Sequence, residues 1–163
     1  MRRCIGLAVA MCVAVFLALL VLASEFNPSA LSGPGKLETY AATAALRILV
    51  WRRVSREVIP PAPADRQVSI EEGDKLYGVE CADCHGLDGR TPTDAGRWMY
   101  PRAADLTSSN VQRYSDRELF WIVKNGIRLS GMPAFAQVET DEHIWNVVEY
   151  LRTLPGGDST KSP

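Results

Sequence analysis

Two cysteines and a histidine lie close together in the middle of the chain. Cys81 and Cys84 are separated by two residues, and His85 follows at once in the sequence CADCH. Two thiols at this spacing can each add to one vinyl group of a single porphyrin, and the next residue can then present its imidazole to the iron. The motif therefore predicts one covalent haem c, attached through Cys81 and Cys84, with His85 as an axial iron ligand.

A cysteine pair at this spacing also occurs in zinc sites, in thioredoxin-like redox sites and as a simple disulfide. A zinc site needs a second pair of ligands, and no other residues of the sequence have that spacing. A thioredoxin-like site needs a βαβ pattern, which is not visible, and the adjacent His85 disfavours a simple disulfide. Cys4 and Cys12 lie in or beside an apolar run and are poor disulfide candidates. Haem attachment is the interpretation that the residues favour.

The second axial ligand must come from a distant part of the chain. Met132 lies in the sequence GMPAF, where Gly131 allows a close turn and Pro133 stiffens the loop around a thioether. Met99 is better suited to filling a core, and His143 to a solvated position in the first turn of a helix. We therefore expect Met132 to ligate the iron, with Met99, His143 or an open position as alternatives.

The segments that must position these ligands read as helices. Ser69 is a candidate N-cap for the first helix, and Ser115 with Glu118 forms a capping-box pattern at the start of the second. No stretch alternates as a strand, and long loops between the helices need an organiser such as a buried haem. The prediction is an all-α domain at residues 65–155 with helices at about 69–81, 115–125 and 141–154.

Residues 1–24 read as a membrane anchor or a signal peptide. The apolar run from Ile5 to Ala23 would span about 28 Å as a helix, close to the thickness of a bilayer core. Arg2 and Arg3 precede it, which predicts a cytoplasmic N-terminus and export of the remainder. The run exceeds the usual signal-peptide core, which favours an uncleaved anchor in the inner membrane, with the haem domain on the periplasmic or exterior side.

Residues 25–64 read as a linker, a basic amphipathic helix at 37–58 and a proline-rich spacer. Leu37, Tyr40, Ile48 and Trp51 recur at helical spacing, so we expect this helix to lie on the membrane face. Packing on the folded domain or on a partner subunit is the alternative. Residues 156–163 read as a flexible tail.

Charge is unevenly divided along the chain. Residues 1–64 carry seven basic and three acidic side chains, whereas residues 65–155 carry ten and fifteen, a net charge of +4 against −5. The basic part suits an anionic membrane surface. The acidic part argues against nucleic-acid binding and favours a redox partner with a basic docking patch.

Residues 68 to 155 resemble a class I cytochrome c of the bacterial mono-haem kind. The matching motifs are EEGDKLYGVECADCHGLDG, then ADLT, ELFWIVKNGIRLSGMPAF and EYLRTL. The resemblance implies three or more helices around one haem, with the first and last helices crossing. Gly73 would permit their close approach, with Tyr77 and Tyr150 packed nearby.

The resemblance also implies contacts around the haem. A backbone carbonyl, from Pro101 or Ala104, would hold the second ring nitrogen of the histidine ligand. The haem propionates would need donors. The candidates are Arg97, Trp98, Arg102 and Trp121.

The function expected from these features is one-electron transfer without independent catalysis. The first hypothesis is a tethered carrier that exchanges electrons with a redox donor and acceptor. The second is a fixed haem subunit of a larger respiratory oxidase or dehydrogenase complex. The third is a haem sensor in which Met132 leaves the iron, against which the stiff Pro133 argues.

Overall fold

The computed structural model describes residues 2–24, 29 and 31–154, without the side chains of 2–5, 8 and 22–24. The described residues form helices and short turns and contain no strand, which confirms the all-α prediction. A 3-10 turn lies at Phe135–Gln137. The helices are α1 (Arg2–Ser24), α2 (Lys36–Val54), α3 (Arg66–Glu80), α4 (Ala82–His85), α5 (Asp94–Trp98), α6 (Ser109–Gln112), α7 (Asp116–Asn125) and α8 (Asp141–Leu151).

Within the described part of the chain, no helix is both long and apolar enough to cross a membrane. The anchor predicted for residues 1–24 is therefore not shown. The flexible tail predicted at 156–163 lies outside the described residues, as does part of the predicted linker.

Helix α3 starts earlier than the sequence suggested, because a different residue caps it. The carboxylate of Asp65 accepts hydrogen bonds from the backbone N–H groups of Gln67 and Val68. Ser69, the predicted N-cap, lies one turn inside the helix and is buried. An aspartate N-cap satisfies two free backbone donors and places negative charge at the positive helix end.

The crossing of α3 and α8 is the centre of the domain. A Cβ atom added at Gly73 would overlap the backbone carbonyl of Asn146, so only glycine allows this approach. The rings of Tyr77 and Tyr150 lie beside the crossing with their centroids 5.1 Å apart. The expected roles of these three residues at the crossing match the geometry.

A second cluster of buried side chains joins α7, α8 and α2. The predicted capping box of α7 is present, since Ser115 and Glu118 bond each other's backbone N–H groups. Phe120 and Trp145 stack with centroids 4.8 Å apart. Helix α8 ends at Leu151, three residues before the predicted end.

Helix α2 packs on the haem-motif domain, as in the alternative that the sequence left open. Val50 and Val54 are buried in the cluster shared with α7 and α8. The helix ends at Val54, not at residue 58. Leu37 and Tyr40, two of the apolar residues from which the helix was predicted to lie on the membrane face, are 80% and 75% exposed. The contact between α2 and the domain is made by a second apolar stripe of the helix, which includes Val50 and Val54.

Candidate haem site

The cysteine–histidine motif forms a tight helical turn directly after α3. The backbone N–H groups of Cys84 and His85 both donate to the carbonyl of Cys81, at 3.1 and 2.9 Å. Both thiols are free and partly buried. Gly86 then turns the chain with a φ of +76°, a conformation that favours glycine. The turn thus places both thiols and the imidazole within one short helical segment, as the prediction of haem attachment expects.

The ring of His85 is held by one backbone carbonyl. Its Nδ1 lies 2.9 Å from the carbonyl oxygen of Ala104, so of the two carbonyls expected it is Ala104, and not Pro101, that makes this bond. The bond requires a proton on Nδ1 and leaves Nε2 as the nitrogen that can bind a metal. Burial lowers the pKa of His85, while the Ala104 carbonyl opposes that shift. The neutral imidazole needed for ligation is therefore favoured.

The loop after His85 is tied back onto the motif through main-chain atoms. Thr93 N–H donates to the Cys84 carbonyl at 3.2 Å, and Leu106 N–H donates to the Gly89 carbonyl at 2.7 Å. Gly96 lies so close to the Cys84 carbonyl that a Cβ atom there would overlap it. Sequence reasoning missed Thr93 and Gly96. The available signal was Thr93 before Asp94, an N-cap pattern for α5.

Tyr77 connects the helix crossing to the haem motif. Its hydroxyl donates to the carbonyl oxygen of Gly86 at 2.7 Å, and the residue is almost fully buried. Burial is the main cause that raises the pKa of Tyr77 well above its ordinary value. Burial also raises the pKa of the Cys81 thiol to about 12, with a smaller contribution from Glu80. The Tyr77 hydroxyl and the Cys81 thiol therefore stay neutral, because their buried surroundings solvate a charged group poorly.

The loop that carries Met132 packs against the cluster of α2, α7 and α8. Met132 is partly buried against this cluster. Its backbone N–H donates to the Ser130 hydroxyl at 3.2 Å, and its carbonyl accepts from Ile127 N–H at 3.3 Å. The side chain of Met99 lies against Gly131, so both candidate methionines are found at this loop. Ligation by Met132 stays a prediction, with Met99 as the alternative beside it.

The four residues predicted as donors to the haem propionates do not form one cluster. Arg97 pairs with Asp94, and Trp98 is 81% exposed. Arg102 is exposed. Trp121, on α7, donates its indole N–H to the Glu57 carboxylate at 2.9 Å, which ties α7 to the segment after α2. Their roles toward haem propionates stay predictions.

His143, the other alternative ligand, lies in the first turn of α8, as predicted. Its Nδ1 is 2.7 Å from the carboxylate of Glu139, and its side chain is half exposed. The imidazole already has a partner outside the cysteine–histidine motif.

The donor set of this site suits haem c. Two free thiols flank one helical turn, and the following histidine presents Nε2 after its Nδ1 is engaged. A haem bound here would supply an iron that alternates between the ferrous and ferric states. The protein residues hold the porphyrin, orient the imidazole and keep the ring neutral.

Comparisons with known proteins agree with this site. Residues 68–151, just over half of the chain, match the family model described as cytochrome c oxidase, cbb3-type, subunit III. The chain is 32% identical to the quinohemoprotein alcohol dehydrogenase ADH-IIG of Pseudomonas putida, over 56% of this chain and 11% of that protein. It is 30% identical to the thiosulfate dehydrogenase of Allochromatium vinosum, over 60% of this chain and 36% of that protein.

A solved structure also resembles the chain. It is the reducing HAO-like protein complex of Kuenenia stuttgartiensis, with a TM-score of 0.48 and 22% identity over 60% of this chain and 47% of that one. The chain therefore spans well under two thirds of each of these three proteins. From the family match and the site geometry together, the chain belongs to the cbb3-type cytochrome c oxidase subunit III family, and its helical domain is a class I cytochrome c domain that binds haem c and transfers electrons.

Proposed function

We propose that this chain is a one-electron carrier whose haem iron is ligated by His85 and Met132. The observation that carries the proposal is the 2.9 Å contact between His85 Nδ1 and the Ala104 carbonyl, which fixes the tautomer and direction of the ring. With a thioether on the other side, both axial positions are filled by side chains. Such an iron exchanges electrons without binding substrate, and a methionine ligand raises its reduction potential.

Optical spectroscopy of the holoprotein tests the ligand assignment. Thioether sulfur on ferric iron gives a weak charge-transfer band in the far red. We expect this band in the wild type, its loss in Met132→Ala and its retention in Met99→Leu, which keeps apolar volume at the neighbouring position. Loss of the band in Met99→Leu alone would move the ligand to Met99.

A sensor function predicts a different outcome of the same experiment. If Met132 left the iron readily, the reduced wild type would bind carbon monoxide. Of the wild type and Met132→Ala, we expect only the variant to bind carbon monoxide. Rapid binding to the wild type would replace the carrier with a ligand sensor.

A fixed haem subunit of a larger oxidoreductase complex is the second candidate function. The family description names an oxidase subunit, and the outward face of α2 carries apolar side chains that a partner subunit could cover. Mild detergent extraction separates the two functions. Co-purification with other subunits at constant stoichiometry favours the fixed subunit, whereas a monomer that shuttles electrons favours the carrier.

We place the haem domain on the periplasmic side of the inner membrane. The support is the sequence alone, with Arg2 and Arg3 before an apolar run of 19 residues at 5–23. Protease treatment of intact spheroplasts should digest the haem domain. The mass of the mature chain shows whether residues 1–24 remain attached. Protection of the domain from protease would contradict this placement.

A further inference from the structure

Helix α2 has one face on the domain and one face open. Val50 and Val54 point into the shared core, and the guanidinium of Arg47 donates to the Asn110 carbonyl at 3.0 Å and lies over the Tyr114 ring. The rest of the helix surface is exposed and carries large apolar side chains together with Arg52 and Arg53. Its most exposed large side chains are Leu37, Tyr40, Ile48, Leu49 and Trp51.

The contacts between α2 and the domain fix its orientation at both ends. Glu38, at the start of the helix, accepts a hydrogen bond from the Tyr100 hydroxyl at 2.6 Å. Glu57, just after the helix, accepts from the Trp121 indole at 2.9 Å. The Pro60 carbonyl then accepts from the Trp145 indole at 3.0 Å. The open face is therefore held at a set angle to the haem domain.

A cleft between α2 and α6 borders this open face. It is an open groove of about 620 Å³, lined by residues of α2, by Asn110 of α6 and by Arg113 directly after α6, and its basic residues are Lys36, Arg47 and Arg113. The described lining includes three basic side chains and no carboxylate. Tyr40 stands at its edge, 75% exposed. A cleft with this lining attracts an anionic group such as a phosphate.

The segment that contains α2 is basic, whereas the domain on which it packs is acidic. Residues 31–64 carry five basic and two acidic side chains, and the two acidic ones are Glu38 and Glu57, which are hydrogen-bonded to the domain. Residues 65–154 carry ten basic and fifteen acidic side chains. The basic, apolar surface thus lies on one segment of an otherwise acidic protein.

We infer that the open face of α2 and the adjoining basic cleft bind the surface of an anionic lipid bilayer. Exposed apolar side chains enter the headgroup boundary, Tyr40 and Trp51 take the interfacial position that amphipathic aromatics prefer, and the cleft receives a lipid phosphate. Charge complementarity favours the bilayer as the occupant. An uncharged apolar helix would leave the cations of the cleft without anions, and the α2 face of a second copy would bring two basic segments together.

The consequence is a fixed orientation of the haem domain at the membrane. Because α2 is held by two hydrogen bonds and a shared core, and the segment after it by two more hydrogen bonds, the domain does not swing freely on a tether. The inference does not require haem ligation by Met132, and it does not require α1 to span the bilayer.

An environment-sensitive fluorophore on the full-length holoprotein tests the inference. The label is placed through Ile48→Cys in a Cys4→Ser, Cys12→Ser background, where the haem thioethers occupy the other two thiols. A label at Val68→Cys, exposed on α3, is the matched control. The readout is the emission maximum, in vesicles of phosphatidylcholine with and without phosphatidylglycerol.

We expect the label at position 48 to shift to shorter wavelength only in anionic vesicles, and the label at 68 not to shift. The double variant Lys36→Gln, Arg113→Gln should abolish the shift. Lys75→Gln with Arg66→Gln, which removes two charges from α3, should leave it intact. An unchanged haem spectrum in each variant verifies folding and separates this result from the test of the proposed electron transfer.

Three outcomes would overturn the inference. One is a label at position 48 that stays as aqueous as the label at 68 in anionic vesicles. Another is an equal shift with and without phosphatidylglycerol, or in the double variant, which would remove the role of the basic cleft. The third is a shift in detergent that follows protein concentration, which would assign the face to a second copy of the chain.

Discussion

The two sides of the haem site are held by different kinds of interaction. On the histidine side, residues 81–106, main-chain hydrogen bonds and the Tyr77 hydroxyl tie the loop to the motif, and the Ala104 carbonyl fixes His85. On the methionine side, residues 126–134, the loop bonds mainly to itself and rests on the cluster of α2, α7 and α8. Directional bonds thus position His85, the proposed first ligand, whereas packing positions Met132, the proposed second ligand. The histidine side should tolerate side-chain changes elsewhere, and the methionine side should respond to them.

The largest effect should come from the helix crossing that supports the histidine side. In Gly73→Ala the new Cβ meets the Asn146 backbone, so α3 and α8 must separate, at a cost of about 3 kcal/mol. Gly78→Ala, in the same helix with open space around it, should stabilise the protein by about 0.5–1 kcal/mol. Thermal unfolding of both holoproteins measures this difference. Equal effects would mean that the crossing does not need glycine.

The second largest loss of stability should come from a substitution at Gly126, the first residue of the methionine side. Gly126 has φ +65° and ψ −172°, a region open almost only to glycine, and a Cβ there would overlap the Pro133 carbonyl. Gly126→Ala should cost about 2 kcal/mol and weaken the far-red sulfur band. Leu129, at φ +63° and 91% exposed, is the matched position. Leu129→Gly should relieve strain and leave the band unchanged. An intact band in Gly126→Ala would show that the ligand loop is held by other means.

A smaller loss of stability, which also affects the methionine side, should follow from a substitution in α2. Val50 is 1% exposed in the cluster on which Met132 rests, so Val50→Ala should cost about 1.5 kcal/mol and make carbon monoxide binding easier. Leu49→Ala, one residue away on the exposed side, should change stability by less than about 0.5 kcal/mol. Urea unfolding and ligand binding check both variants. Equal costs would contradict the docking of α2 on the domain.

The smallest effect should concern one bond of the histidine side. Tyr77→Phe removes the hydroxyl that donates to Gly86 and leaves a buried carbonyl without that donor, at a cost of about 1 kcal/mol. The haem spectrum should not change, because the contact between Ala104 and His85, the proposed ligand, does not depend on the Tyr77 hydroxyl. Tyr150→Phe removes a less buried hydroxyl of the same ring pair and should cost less. A change of axial ligation in Tyr77→Phe would show that the two bonds are coupled.

The sequence predicted the parts of this protein that depend on local chemistry. The motif from Cys81 to His85 specifies haem attachment because the spacing of three reactive groups along one turn suffices. The capping box of α7 and the apolar face of α8 follow from residues three and four apart. Gly73 and the two tyrosines were predicted by resemblance, and the crossing has the geometry that the resemblance implies.

Other features depended on contacts between residues that are distant in the chain. The choice of Ala104 over Pro101 rests on the path of the chain from His85 to Ala104, 19 positions later, which no local pattern encodes. Which apolar stripe of α2 contacts the domain could not be predicted from its sequence, because the helix has two such stripes and only the position of α7 and α8 decides which one is buried. The sequence by itself determined the haem motif and the helical class. The tertiary structure alone decided which carbonyl orients His85 and which face of α2 stays open. Both depend on contacts between elements that are distant in the chain, so burial and hydrogen-bond geometry cannot be inferred from any one element by itself.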